Sequence, residues 1–152
     1  MSILKLSGGV CVLALALFAA DNPFVGTWKQ NPAKSKMEGS GLEPNSTIHI
    51  EPDGNGLKVS VETTLKGQPN NFAYQAALDG KVVRVTGSAL LDEIAILRFN
   101  DRTISATGKK DGKVVFNDLR VVSNDGKTLT FSRTGTNPDG KPFKVKMAFD
   151  RQ

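Results

Sequence analysis

Phe24-Val25-Gly26-Thr27-Trp28-Lys29 carries the only tryptophan of this 152-residue chain and begins four residues after an apolar leader ends. A Gly-x-Trp that opens a first strand points to a β-barrel closed at its base by an indole. The segments on either side of it decide whether the chain can build one.

Upstream, Met1 to Ala20 holds one cation, Lys5, then the apolar run Val10 to Phe18, then Ala19-Ala20 before the polar Asp21. This is the layout of a secretory signal peptide. It predicts a leader over residues 1–20, one domain over 21–152, and a periplasmic or extracellular address. The apolar run is too short to cross a bilayer, so no stable membrane insertion is expected after cleavage. Phe18 occupies a position before the cut where a small residue is preferred, which keeps a retained anchor as the alternative. Cys11 follows Val10 and precedes most of the hydrophobic run, the wrong order for lipid attachment.

The 132 residues after the leader (152 less 20) contain no cysteine, so packing must hold them without disulfides. A chain of this size buries roughly two thirds of its unfolded surface, enough for one core and too little for two. Its formal charge of +4 comes from 19 Lys and Arg against 15 Asp and Glu. The lysines sit beside turns (Lys66, Lys81, Lys113, Lys127, Lys141) or on the polar side of strands (Lys58, Lys144, Lys146). Scattered charge of this kind discourages edge-to-edge strand pairing. It forms no basic stripe interleaved with aromatics, so no nucleic-acid partner is expected. A monomer is the expectation, though no motif sets the oligomeric state.

Asp-Gly recurs at 53–54, 79–80, 111–112, 125–126 and 139–140, four times followed directly by lysine. Both central residues of a type I′ turn need positive φ, which Gly adopts freely and Asp tolerates, so these dipeptides predict hairpins. The last three lie 14 residues apart, leaving one strand between successive turns. Between turns the apolar period is two. Leu57, Val59 and Val61 alternate with Lys58, Ser60 and Glu62; Phe72, Tyr74, Ala76 and Leu78 share a side; Phe143, Val145, Met147 and Phe149 do likewise. About ten strands result, near residues 24–30, 46–51, 57–66, 71–78, 81–86, 93–99, 102–109, 113–123, 127–134 and 142–150. Each has one apolar face, and no crossover helix separates them. Closing a single up-and-down antiparallel barrel of about 8–10 strands hides that face and removes the edges. A two-sheet sandwich satisfies the same periodicity and stays open as the alternative. Residues 31–45, broken by Pro32, Gly39, Gly41 and Pro44, read as an exposed loop that is a candidate lid.

The opening string resembles that of the calycins, the superfamily of lipocalins and fatty-acid-binding proteins. That resemblance implies that Trp28 plugs one barrel end beneath an arginine from near the last strand. Arg133 is the first choice for that arginine and Arg151 the second, so Gly26, Trp28 and Arg133 are the expected closing group. The chain departs from fatty-acid-binding proteins in lacking two helices after the first strand and an Arg-x-Tyr near its end, so their carboxylate anchor does not transfer. From lipocalins it departs in lacking a Thr-Asp-Tyr motif and a disulfide. The whole domain is also similar to an uncharacterised family of small secreted proteins of soil bacteria. The shared segments are Gly26-Thr27-Trp28-Lys29, Asn31-Pro32-Ala33-Lys34-Ser35-Lys36, Val85-Thr86-Gly87-Ser88, Lys109-Lys110-Asp111-Gly112-Lys113-Val114-Val115, Asp125-Gly126-Lys127-Thr128-Leu129-Thr130 and Asp139-Gly140-Lys141-Pro142.

Chemistry-bearing motifs are sparse. One histidine, His49, cannot make a multi-imidazole zinc site and reads as a polar-face residue. No serine lies in a Gly-x-Ser-x-Gly turn, and no EF-hand series is present. No catalytic residue, metal or cofactor is expected, and an isomerase or cyclase is a remote third reading. The leading expectation is a carrier that holds a small apolar ligand against Phe72, Tyr74, Phe116, Phe131, Phe143, Met147 and Phe149. Tyr74, Gln75, Arg98 and Arg120 are candidates to orient a polar end. The alternative is a solid-cored interaction module or inhibitor acting through its loops.

Overall fold

A computed structural model describes residues 22–152; the leader expected over Met1–Ala20 lies outside the described residues. Among the described residues twelve strands follow one another, and ten of them form one antiparallel sheet. They are β1 (Gly26–Gln30), β2 (Thr47–Asp53), β3 (Gly56–Glu62), β6 (Phe72–Ala76), β7 (Asp79–Arg84), β8 (Glu93–Asn100), β9 (Thr103–Lys110), β10 (Lys113–Val122), β11 (Thr128–Thr136) and β12 (Pro142–Arg151). The remaining pair, β4 (Thr64–Leu65) and β5 (Gln68–Pro69), makes a separate small hairpin.

The sheet runs β6-β3-β2-β1-β12-β11-β10-β9-β8-β7. It is a meander in which the first and last long strands are neighbours, Trp28 opposite Arg151 and Gln30 opposite Phe149. The curl brings β6 back to β7, where a single bridge closes the seam: the Ala73 and Thr86 amides each donate to the other's carbonyl at 3.0 Å. One nearly closed ribbon, not two stacked sheets, therefore hides the apolar face.

Alternation holds where it was clearest. Along β3, Leu57, Val59 and Val61 are buried and Lys58, Ser60 and Glu62 exposed; along β12, Val145, Met147 and Phe149 are buried. The strand expected through Lys66 ends earlier. Lys66 and Gly67 both have positive φ, and the chain folds back there into β4–β5. Among the Asp-Gly turns only Asp111-Gly112 has positive φ at both residues. At 123–126 and 137–140 only the glycine does, and its amide donates to the carbonyl three residues earlier, Ser123 or Asn137. These are turns with a left-handed glycine at the end, which splay the strands by a longer loop.

Residues 31–45 are less free than a surface loop. Asn31 caps a single 3-10 turn at Pro32–Lys34, after which Lys36 re-pairs with Lys146 of β12. The Ser35 hydroxyl accepts from the Ala148 amide at 3.0 Å, and Ala148, on the outward parity of β12, is buried. Ser40 is buried, and Met37 packs against the core.

Candidate functional site

Two groups of residues stand at different levels of the barrel. At the base, Trp28 is fully buried and its Nε1 donates to the Phe24 carbonyl at 2.9 Å. The cation over its ring is Arg151, 4.1 Å from ring centre to guanidinium carbon, and not Arg133. Register explains the correction. Arg151 is Trp28's direct partner across β1 and β12, whereas Arg133 pairs with Val145, six positions or roughly 20 Å further along β12. Arg151 also donates to the carbonyls of Pro23, Val25 and Gly126, all at 2.7 Å, tying the segment before β1, the last residues of β12 and a turn together.

Gly26 belongs to this base because of space. Its φ is +140°, and a Cβ there would fall on the Arg151 guanidinium. Gly26→Ala is expected to cost about 1–3 kcal/mol, as other strained backbone positions do, and to push the cation off the indole. Urea denaturation and a change in Trp28 emission check both halves of this expectation.

Above the base the interior is not filled. It holds a cavity of about 310 Å³. All seven residues expected to face a ligand line it: Phe72 and Tyr74 of β6, Phe116 of β10, Phe131 of β11, and Phe143, Met147 and Phe149 of β12. Trp28 and Gly26 do not. Gly108 is what lets Phe116 lie flat on the wall, since a Cβ there would overlap the ring. The lining extends to exposed Thr136 and Pro138, so the cavity reaches solvent at the end crossed by Met37, Ser40, Leu42 and Glu43. Asn137 Nδ2 donates to the Gly39 carbonyl at 3.1 Å and fastens that segment to the β11–β12 turn.

Inside the cavity wall lies a charged cluster that sequence reading had assembled only in part. Asp118 of β10 is opposite Arg133 of β11 in the ladder and two residues before Arg120, so all three side chains point inward. Arg120 Nε donates to Asp118 Oδ1 at 2.8 Å and its Nη2 to Oδ2 at 3.3 Å. Arg133 Nε and Nη2 both donate to Oδ2, at 3.0 and 2.6 Å. Arg120 Nη1 reaches across to the Tyr74 hydroxyl at 2.9 Å, joining β10 to β6. Arg120 lies over the Phe131 ring at 4.4 Å and Arg133 over Phe116 at 3.8 Å, where the negative ring faces favour a cation.

Burial alone pushes the Asp118 carboxyl up, but the flanking Arg120 and Arg133 charges and their hydrogen bonds outweigh it and hold the group below the usual carboxylate range. Burial pushes Arg120 down, and the Asp118 charge, Tyr74 and the hydrogen bonds to both together more than reverse this. Arg133 is drawn down by burial and by Arg120. All three remain ionised at neutral pH, since arginine does not lose its proton in proteins. The cluster thus carries two positive charges and one negative.

Of the other polar candidates, Gln75 and Arg98 are exposed and contribute nothing to the interior. Asp118 shares the inward face with Phe116 and Arg120, although Leu119 and Val121, which flank Arg120, are apolar and equally suited to an interior. Those two apolar side chains are on the outside, about two fifths exposed. The signal that could have found it is the shared parity of Phe116, Asp118, Arg120 and Val122. His49 sits on the outer face with the Thr27 hydroxyl 3.1 Å away. Among the described residues no group of three or more His, Cys, Asp or Glu is placed to hold a metal ion.

No family model matches the chain, and no curated protein matches it. Solved structures do. Zebrafish ileal bile acid-binding protein complexed with cholic acid is 11% identical with a TM-score of 0.55, over 86% of this chain and 99% of that one. A heat-soluble (SAHS) protein of Ramazzottius varieornatus is 11% identical with a TM-score of 0.61, over 88% of this chain and 98% of that one. Identity this low speaks to architecture alone, and the architecture shared is a nearly closed antiparallel β-barrel.

Proposed function

We propose that this protein is an exported carrier which binds one small, mainly apolar molecule with an anionic end inside its barrel. The observation that carries the reading is a solvent-reaching cavity of about 310 Å³, walled by aromatic and aliphatic side chains and holding a buried cluster with excess positive charge. Ligand sites have this composition: apolar walls and a few convergent polar groups, at volumes from roughly 300 Å³ upward. A barrel packed solid for loop-borne interactions would have no use for either feature.

The polar groups suit an anion. Arg133 Nη1 finds no acceptor among the described residues, and the Tyr74 hydroxyl, accepting from Arg120, keeps its own proton to donate. An excess buried charge is costly unless paired, and a bound carboxylate pairs it. The fold is compatible with such cargo, as the zebrafish neighbour is complexed with cholic acid, an amphipathic acid. Export rests on the Met1–Ala20 leader, which with the shared segments also supports membership of the secreted soil-bacterial family.

Native mass spectrometry of protein purified from its own host tests the reading. A co-purifying mass of lipid size, released on denaturation, is expected. A bare chain whose thermal midpoint is unmoved across a panel of amphipathic acids would overturn it.

A further inference from the structure

The charge of the buried cluster is set by one residue. Asp118 spends both oxygens on the two arginines, accepting four hydrogen bonds from them, and its side chain is wholly shielded. It is therefore out of a ligand's reach and acts only by subtracting one charge from two. Glu43 and Lys110, the other ionic groups of the lining, carry opposite signs. Phe116 and Phe131 take part of the remaining charge on their ring faces without cancelling it.

We infer that Asp118 is the specificity-determining residue of the cavity: by fixing its residual charge at one, it selects singly charged carboxylates or sulfonates over phosphate monoester dianions and over neutral alcohols. This deepens the carrier reading and rests on it. A monoanion leaves the buried site neutral. A dianion leaves one negative charge uncompensated in a low-dielectric interior, and an alcohol leaves one positive charge so.

Calorimetric titration of the full chain with decanoate, decanol and decyl phosphate, at about pH 8 where the monoester is doubly ionised, reads this selectivity. Wild-type protein is expected to prefer decanoate by about tenfold over either competitor, the scale of one hydrogen bond to a charged group. Asp118→Asn restores the second positive charge and reverses the order of the two anions, decyl phosphate then binding about tenfold tighter. Arg133→Met keeps the Arg120–Asp118 pair, brings the cluster to neutrality and makes decanoate and decanol equal; it serves where Asp118→Asn does not fold. An unchanged ratio of the two anions in Asp118→Asn, or an unchanged preference for decanoate over decanol in Arg133→Met, overturns the role of Asp118. Wild-type protein that takes decanol as well as decanoate, or neither, instead overturns the anion-site reading beneath it.

Discussion

Asp118→Ala is expected to destabilise the protein by about 3–5 kcal/mol at neutral pH, the range measured when one partner of a buried ion pair is removed. The reason is what remains. Arg120 and Arg133 would keep their charges inside the barrel with ring faces, and one hydroxyl for Arg120, as their nearest partners. A parallel replacement of all three by apolar residues, Asp118→Leu with Arg120→Met and Arg133→Met, removes the charges together and should recover most of the loss. Urea midpoints at unchanged slope measure both. If the single variant costs under about 1 kcal/mol, the cluster is hydrated and the account of its burial fails.

The same group gives a pH dependence of fixed sign. The native Asp118 pKa lies below its unfolded value of about 3.9. Its stabilisation is therefore complete above that unfolded value and is lost as pH falls through the depressed native one. Stability of wild-type protein should fall more steeply with acid than that of the triple apolar variant, most of the difference appearing below about pH 4.

Trp28→Ala is the second large effect, about 3–5 kcal/mol, because it deletes the bulkiest fully buried side chain and leaves the Phe24 carbonyl without its indole donor. It also strips Arg151 of the ring it lies over. A double-mutant cycle of Trp28→Phe with Arg151→Met should give a coupling of about 0.5–2 kcal/mol for that contact. Neither residue lines the cavity, so Trp28→Phe should leave decanoate affinity within a factor of about two. A tenfold loss would mean that plug and cavity are one unit.

How much of this was written in the sequence depends on the range of the interaction concerned. Strands β3, β6 and β12 could be read locally, because Leu57-x-Val59-x-Val61, Phe72-x-Tyr74-x-Ala76 and Phe143-x-Val145-x-Met147-x-Phe149 alternate without competition. The seven cavity residues followed from that alternation and from aromatic content. Strand β10 could not be read the same way. Leu119 and Val121 compete with Phe116 and Val122, and the inward face that wins includes Asp118 and Arg120. What decides it is register against Arg133 and the reach of Arg120 to Tyr74, 46 residues earlier, and no local pattern encodes either.

The arginine over Trp28 illustrates the same limit. Arg133 shares a face with Leu129 and Phe131 and so looked suitable, but suitability for the interior is a different matter from level within it. Pairing of the first strand with the last sets that level. Turn chemistry was legible in kind and not in detail. Every Asp-Gly falls at or beside a reversal, while φ at the aspartate distinguishes Asp111-Gly112 from the rest.

A carrier of the kind proposed holds its cargo inside, with the charged end on Arg133 and Tyr74. Isotope-edited NMR of the protein with carboxyl-labelled decanoate examines it most directly. Contacts from the chain to the Met147 methyl and the Phe72 and Phe116 rings are predicted, together with a carboxylate that stays ionised well below the pH at which free decanoate takes up its proton. Contacts confined to outward Leu97 and Phe99, with a carboxylate that titrates as it does in water, would contradict the account.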